Sequence, residues 1–187
     1  RTIQFSWANK KAVSFVCHDS NGRIAFKDKT GKSALKRLAR LCTKFMKGKR
    51  AVGHFLTADM EWLTAFGIDL RQAYEVPLVD LPDGTPAFMR CRNGEGGADT
   101  AIMAHAVEET GLLGLDSLSA RYTGAPPYSA PVDEFIKQYC KTQKIKRSKL
   151  GGYGPIPDEI LCPYGCYDAD VTRRLYVLLS GYLDADY

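Results

Sequence analysis

Apolar and polar positions alternate over Ile3 to Ala8 and again over Ala12 to Cys17, which predicts two short strands, with Asn9-Lys10-Lys11 as the hairpin turn between them. A third short strand is expected over Arg23 to Phe26, after the Asn21-Gly22 turn. The period then changes to that of a helix. Ser33 stands where an N-cap is wanted, and Leu35, Leu38, Leu41, Cys42, Phe45 and Met46 form one apolar stripe. Lys36, Arg37, Arg40, Lys44 and Lys47 fall outside it and read as a solvated face. Arg50 to Gly53 is a short strand. Thr57 is expected to cap a helix running through Phe66 and stopped by Gly67. Residues Arg71 to Ala98 are rich in proline and glycine and read as a loop or small hairpin excursion. Asp99 is expected to cap a helix through about Glu109, followed by short and longer helices over Leu115 to Tyr122 and Pro131 to Lys144. Gly151-Gly152-Tyr153-Gly154-Pro155 is a break. From Pro157 the chain is helical again, with an interruption expected near Pro163 and an end near Tyr182. Strands first, then alternating strands and helices, then helices, indicate one α/β domain.

The last helix carries the most chemical information. At 100° per residue, Tyr164, Asp168, Val171, Leu175, Leu178, Leu179 and Tyr182 share a face that is apolar except for one carboxylate. A buried aspartate needs a cation, a metal or a hydrogen-bond donor. Asp170 is expected to point away from this face, so the geometry singles out Asp168. A salt bridge to Arg or Lys would satisfy Asp168 as well as a metal would. Asp59 repeats the pattern, in the first turn of its helix and on the side of Trp62, Leu63 and Phe66. The helix dipole alone favours an acid there. Two carboxylates on the core sides of separate helices fit a Mg²⁺ site, since that ion takes carboxylate oxygens and retains waters. Two such ions stabilise the attacking and leaving oxygens of a phosphodiester. That chemistry calls for more carboxylates than the two that stand out.

Composition changes this picture little. The 187 residues suffice for one domain with a core, and 45% hydrophobic with 25% charged residues is ordinary for a globular chain. Lys and Arg outnumber Asp and Glu by 26 to 21, a net charge of +5, as compatible with a plain basic surface as with a polyanionic partner. No apolar run is long enough to cross a membrane, and Arg1-Thr2-Ile3-Gln4-Phe5 has no secretory-signal character. The first residue is not Met, and a piece of a longer protein is expected. Cys17, Cys42, Cys91, Cys140, Cys162 and Cys166 are scattered without a C-x-x-C pair and read as reduced thiols of a cytosolic protein. Thr30-Gly31-Lys32-Ser33 ends like a P-loop, but Phe26 occupies the position of the required earlier glycine. Asn93-Gly94-Glu95-Gly96-Gly97 reads as a turn. His18, His54 and His105 share no ligand spacing, and no serine sits in a G-x-S-x-G elbow.

Four segments in order carry a resemblance. Val52-Gly53-His54-Phe55-Leu56-Thr57-Ala58-Asp59, running into Trp62-Leu63, resembles the second exonuclease motif of the DEDD superfamily. Asp99-Thr100-Ala101-Ile102-Met103-Ala104-His105 resembles its D-T-x-x-x-A helix start, and Leu115-Asp116-Ser117-Leu118 the L-x-x-L element that follows. Tyr164-Gly165-Cys166-Tyr167-Asp168 resembles the third motif in its tyrosine form, Y-x-x-x-D. Together, over essentially residues 1–187, they are similar to the 3′–5′ exonuclease (proofreading) domain of family A DNA polymerases, bacterial or phage.

The resemblance implies an RNase H-like α/β fold, a mixed sheet flanked by helices, and hydrolysis of DNA 3′ ends with two divalent ions, Mg²⁺ or Mn²⁺. It implies Asp168 as a direct ligand of the first metal, Asp59 as a ligand of the second, largely through water, and Tyr164 as the residue that orients the attacking water. His54, Phe55 and Leu56 fall at the substrate-binding positions, with Phe55 replacing an asparagine usual there. The first motif, D-x-E, is missing. In the family it lies on a central strand just before the one matching Ile3 to Ala8, so a chain truly without it is expected to be inactive and poorly folded. Asp59-Met60-Glu61 imitates D-x-E, but on a helix. The implied partners are a single-stranded or frayed 3′ end of DNA and a covalently attached polymerase domain, with no membrane, in the cytoplasm of a bacterial or phage-infected cell. A non-catalytic exonuclease-like scaffold and an RNase D-like enzyme acting on RNA remain the alternatives.

Overall fold

The computed structural model describes residues 2–8, 10–19, 21, 23–46, 51–68, 79–80, 86–87, 98–150 and 152–185. Strands β1 (Thr2–Ala8) and β2 (Lys11–Val16) pair antiparallel from Thr2↔Val16 to Ala8↔Lys11, with an irregularity between Ser6 and Ala8. Lys10 takes a left-handed conformation (φ 57°) to close the turn. One face of the hairpin carries Phe5 and Phe15 in edge-to-face contact, centroids 6.4 Å apart. Phe5 continues to Phe45 at 6.0 Å and Phe15 to Phe26 at 6.3 Å, so the aromatic residues seat the hairpin on helix α1 (Leu35–Met46). Leu38, Ala39, Cys42 and Met46 of α1 form this core with Cys17, Ala51 and Ile68.

Strand β3 (Val52–Gly53) leads into helix α2 (Leu56–Ala65), whose Met60 and Leu63, with the adjoining Phe66, pack against the same core. Gly67, at φ 88°, ends α2 as its sequence position requires. Strands β4 (Val79–Asp80) and β5 (Pro86–Ala87) form a small antiparallel pair inside the expected excursion, most of which lies outside the described residues, as do Cys91, Asn93 to Gly97 and Lys47. Strand β6 (Ala98–Asp99) pairs parallel with β3, Val52↔Ala98 and Gly53↔Asp99, and runs directly into helix α3 (Thr100–Val107). Helix α4 (Leu115–Leu118) widens into a π turn over Ser119–Thr123, and helices α5 (Ala130–Gln143) and α6 (Asp158–Ala185) follow. Among the described residues the strands form three separate two-stranded pairs, with no single sheet joining them. No helix is long and apolar enough to cross a membrane among these residues. Cys17, Cys42, Cys140, Cys162 and Cys166 are free thiols.

Several local expectations are corrected. Residues 23–26 make only an isolated bridge, His18↔Ile24, because the Asp19 carboxylate accepts the N–H groups of Asn21 and Arg23 and curls the chain before a ladder can extend. Ser33 bridges to Lys27, and α1 starts beyond it at Leu35. Leu41 is 54% exposed, outside the stripe assigned to it. Pro163 does not interrupt α6: near the start of a 28-residue helix it removes one backbone hydrogen bond, a loss outweighed by burial along the rest of the helix.

Helix α6 is packed on more than one side, so Asp170 points away from the Asp168 face, as expected, and is buried nonetheless. Val171, Leu175 and Leu179 are fully buried with Ala104 and Leu118, while Leu178 and Tyr182 of the predicted face are 40% and 52% exposed. Another side faces the hairpin. There Gly165 lies so close to β1 that a Cβ would stand 2.5 Å from Gln4 Nε2, and Asp170 is 6% exposed. Asp170 Oδ1 accepts the backbone N–H of Lys10 at 2.7 Å, and Oδ2 lies 3.0 Å from Arg174 Nε one helical turn on. Asp170 therefore fastens the hairpin turn to the helix. Asp170→Ala should lower stability by about 1–3 kcal/mol, because it leaves a half-buried guanidinium and a backbone donor without their shared acceptor; urea unfolding at neutral pH measures this.

Candidate active site

The turn between β3 and α2 is built around one carboxylate. Asp99 caps α3 by accepting the Ala101 N–H at 2.9 Å, and the same carboxylate accepts the N–H of Phe55 at 3.1 Å and of Leu56 at 2.8 Å. The first orphan donors of α2 are thus satisfied from across the parallel strand pair, and Thr57, expected as the cap, already lies inside the helix. Phe55 adopts φ 54°, a left-handed conformation uncommon for a bulky side chain, and the Asp99 bonds hold it there. Glycine suits position 53, since a Cβ there would collide with the Leu56 side chain.

The three expected substrate-contact residues separate into two groups. Phe55 is 54% exposed and Leu56 is half-buried against Gly53. His54 turns inward: its Nδ1 lies 2.9 Å from the hydroxyl of Thr100, which is completely buried and donates to the Gly53 carbonyl at 3.2 Å. The single hydroxyl proton of Thr100 is used on Gly53, which assigns the proton on Nδ1 of His54 as the donor to Thr100. Burial lowers the His54 pKa, against the Asp99 charge and the Leu113 carbonyl, which both favour the protonated ring. In this geometry His54 braces the turn.

Asp59 lies in the first turn of α2. No residue of α2 is buried and Trp62 is 77% exposed, which corrects the assignment of Asp59 and Trp62 to the core side. The Asp59 side chain reaches water at the rim of the site, yet protein crowds it enough to raise its pKa, with repulsion from Asp99 second. Asp168 sits on α6, half-buried. Desolvation raises its pKa to about 6, opposed by hydrogen bonds from Tyr128 and Tyr164 and reinforced by the charges of Asp116 and Asp59. The charge of Asp59, on a different helix, thus reaches Asp168, as the smallest of these influences. Among the described residues no arginine pairs with Asp168. Its strongest partner is the Tyr128 hydroxyl, which donates to Oδ1 at 2.8 Å. Tyr164 stands one helical turn before Asp168, as the i, i+4 placement requires, and its hydroxyl favours the ionised carboxylate. Its ring lies 5.8 Å from Tyr128 and 6.0 Å from Tyr153, while Tyr128 stacks on Tyr167 at 5.5 Å and 17°.

In kind these groups fit a hard divalent cation: two carboxylates whose pKa values are both raised, one half-buried and one at the rim. In number they fall short of a complete site, since no cluster of three or more His, Cys, Asp or Glu side chains gathers for a metal among the described residues.

A DNA polymerase of Escherichia phage T5 is 38% identical over 79 residues, which span 42% of this chain and 9% of that protein. The chain is related to a DNA polymerase. No family model matches it, and no solved structure does either.

For this polymerase relative the sequence reading missed three site residues. Tyr128 lies on the irregular connection before α5, where no period marks it. Asp99 was read as a cap for α3 alone. Asp116, known only as part of an apolar element, faces Asp168 and Tyr128 with its charge. The raised pKa of Asp168 sets a stability signature. Its folded-state value, about 6, exceeds the ordinary 3.8, so the folded protein favours the neutral acid. The neutral form costs nothing below the ordinary value, and stability declines as pH rises from there through about 6. Asp168→Asn, which retains an acceptor for Tyr128, should therefore stabilise the protein by about 1–3 kcal/mol at pH 7.5 and by almost nothing at pH 3.5. Denaturant midpoints at the two pH values check this.

Proposed function

We propose that this domain hydrolyses the 3′-terminal phosphodiester of DNA as the proofreading 3′–5′ exonuclease of a family A polymerase. The observation that carries the reading is Asp168 of α6, desolvated, held by the Tyr128 hydroxyl, one helical turn from Tyr164 and within the electrostatic reach of Asp59 on α2. The relationship to a phage DNA polymerase supports the choice of DNA. Two divalent ions, Mg²⁺ or Mn²⁺, would supply the positive charge that stabilises the attacking and leaving oxygens. Asp168 and Asp59 would hold them, Tyr164 would orient a water through its hydroxyl, and Phe55 and Leu56 would contact the terminal nucleotide from the turn that Asp99 braces.

A second reading, a non-catalytic domain that holds DNA for a polymerase, is favoured by one observation: the described residues gather fewer than three metal-binding side chains. Incubating the full-length gene product with end-labelled single-stranded DNA and Mg²⁺ separates the two. The exonuclease reading expects stepwise loss of 3′ nucleotides and a fall of at least about a hundredfold in Asp168→Ala. Undiminished hydrolysis in that variant sinks it, whereas binding without hydrolysis in the parent protein selects the second reading. A matched RNA oligonucleotide in the same assay tests the RNA-processing alternative.

A further inference from the structure

A basic stretch leads from the far end of α5 to the aromatic group around Asp168. Lys141, Lys144, Lys146, Arg147 and Lys149 lie within nine residues that hold no acid, and all five are exposed. The stretch has a defined path. Lys144 closes α5 in a left-handed conformation (φ 53°), Ile145 N–H bonds the Cys140 carbonyl at 3.0 Å, and Arg147–Lys149 form a 3₁₀ turn. The turn is tied down at both ends. Arg147 pairs with Asp133 at 2.9 Å, and Leu150 packs with Ile156 and Leu161 in the small core that also holds Tyr164. A concavity of about 640 Å³ opens beside it, between Pro127 and α5, with Lys137 and Arg147 on its wall; its acids, Asp133 and Glu134, are engaged by Arg147 and Gln138. Beyond the stretch stands Tyr153, 48% exposed, with its ring 6.0 Å from Tyr164.

We propose that residues 137–149 and Tyr153 form a single-stranded DNA track, in which the lysines follow the phosphates and Tyr153 stacks on a base next to the one held at Asp168. The physical logic is that of sequence-independent single-strand binding: a basic groove that tracks the backbone, with an aromatic face that accepts any base. Fixed placement distinguishes this stretch from the basic residues of α1, which share their helix with no exposed aromatic stack beside a carboxylate site. The identity of the ligand rests on the exonuclease reading; the track itself is tested without catalysis.

The test is fluorescence anisotropy of a 5′-labelled dT₁₂ oligonucleotide with the protein in EDTA, over a range of salt concentrations. The parent protein should bind, with affinity falling linearly on a log–log plot against salt. The triple variant K141A/K146A/K149A should bind at least about tenfold more weakly at low salt, and its slope should be shallower by about 2, since each lost phosphate contact in a single strand is worth ~0.7. Tyr153→Ala should also lose about tenfold in affinity but keep the parental slope, because stacking releases no counterions. A matched α1 variant, K36A/R40A/K44A, should bind like the parent. Circular dichroism of each variant establishes that it is folded. The proposal is overturned if the parent does not bind, if the triple variant keeps the parental affinity and slope, or if the α1 variant loses as much as the triple variant. No divalent ion is present, so binding is judged apart from hydrolysis: a protein that binds along the track but cleaves nothing refutes the nuclease reading and leaves the track standing.

Discussion

Three backbone N–H groups, from Phe55, Leu56 and Ala101, converge on the Asp99 carboxylate. The strands on either side are only two residues long, so the ladder between β3 and β6 has little strength of its own. The ionised carboxylate supplies what the ladder lacks: charge-assisted bonds to the starts of two helices, α2 and α3, from one fixed point. Thr100 adds a buried hydroxyl between Gly53 and His54. Without this knot the left-handed Phe55 would have no support, and the helix that carries Asp59 would have no defined entry angle.

The two aspartates of α6 divide structure from chemistry. Asp170 is buried, paired with Arg174 and bonded to the Lys10 backbone, so its charge is compensated and it serves as a fastener. Asp168 is held by phenolic hydroxyls and faced by carboxylates, so its charge is left partly uncompensated. A fold gains nothing from such an arrangement, and functional sites are where this kind of local cost persists. The Tyr128 hydroxyl orients the carboxylate, and the rings of Tyr164 and Tyr167 lie against Tyr128.

Features governed by near neighbours in the chain were legible from sequence: the hairpin, the Asp99 cap of α3, the Gly67 stop, α5 and the extent of α1. Periodicity also brought Tyr164 and Asp168 onto one face. It could not tell how many faces are covered. A helix packed against one neighbour has one apolar stripe, but α6 meets both the hairpin and α3, and so the partner of Asp170 was invisible in a one-stripe reading. The same limit misassigned Leu41 and Trp62, apolar side chains whose helices turn them to solvent. Tyr128 and the shared duty of Asp99 depend on contacts about forty residues apart along the chain, formed through irregular backbone, where no local pattern encodes them.

The missing side chain at Gly165 ties the orientation of the last helix to the hairpin. With Gln4 filling the space a methyl group would need, α6 sits close against β1 at that level. Asp168 lies less than one turn further on, so its bearing is inherited from the contact. A single residue inserted between the two would swing the carboxylate through about 100°, away from Tyr128 and out of reach of Asp59, while leaving the helix itself intact. Spacing within this short segment is thus constrained as tightly as residue identity.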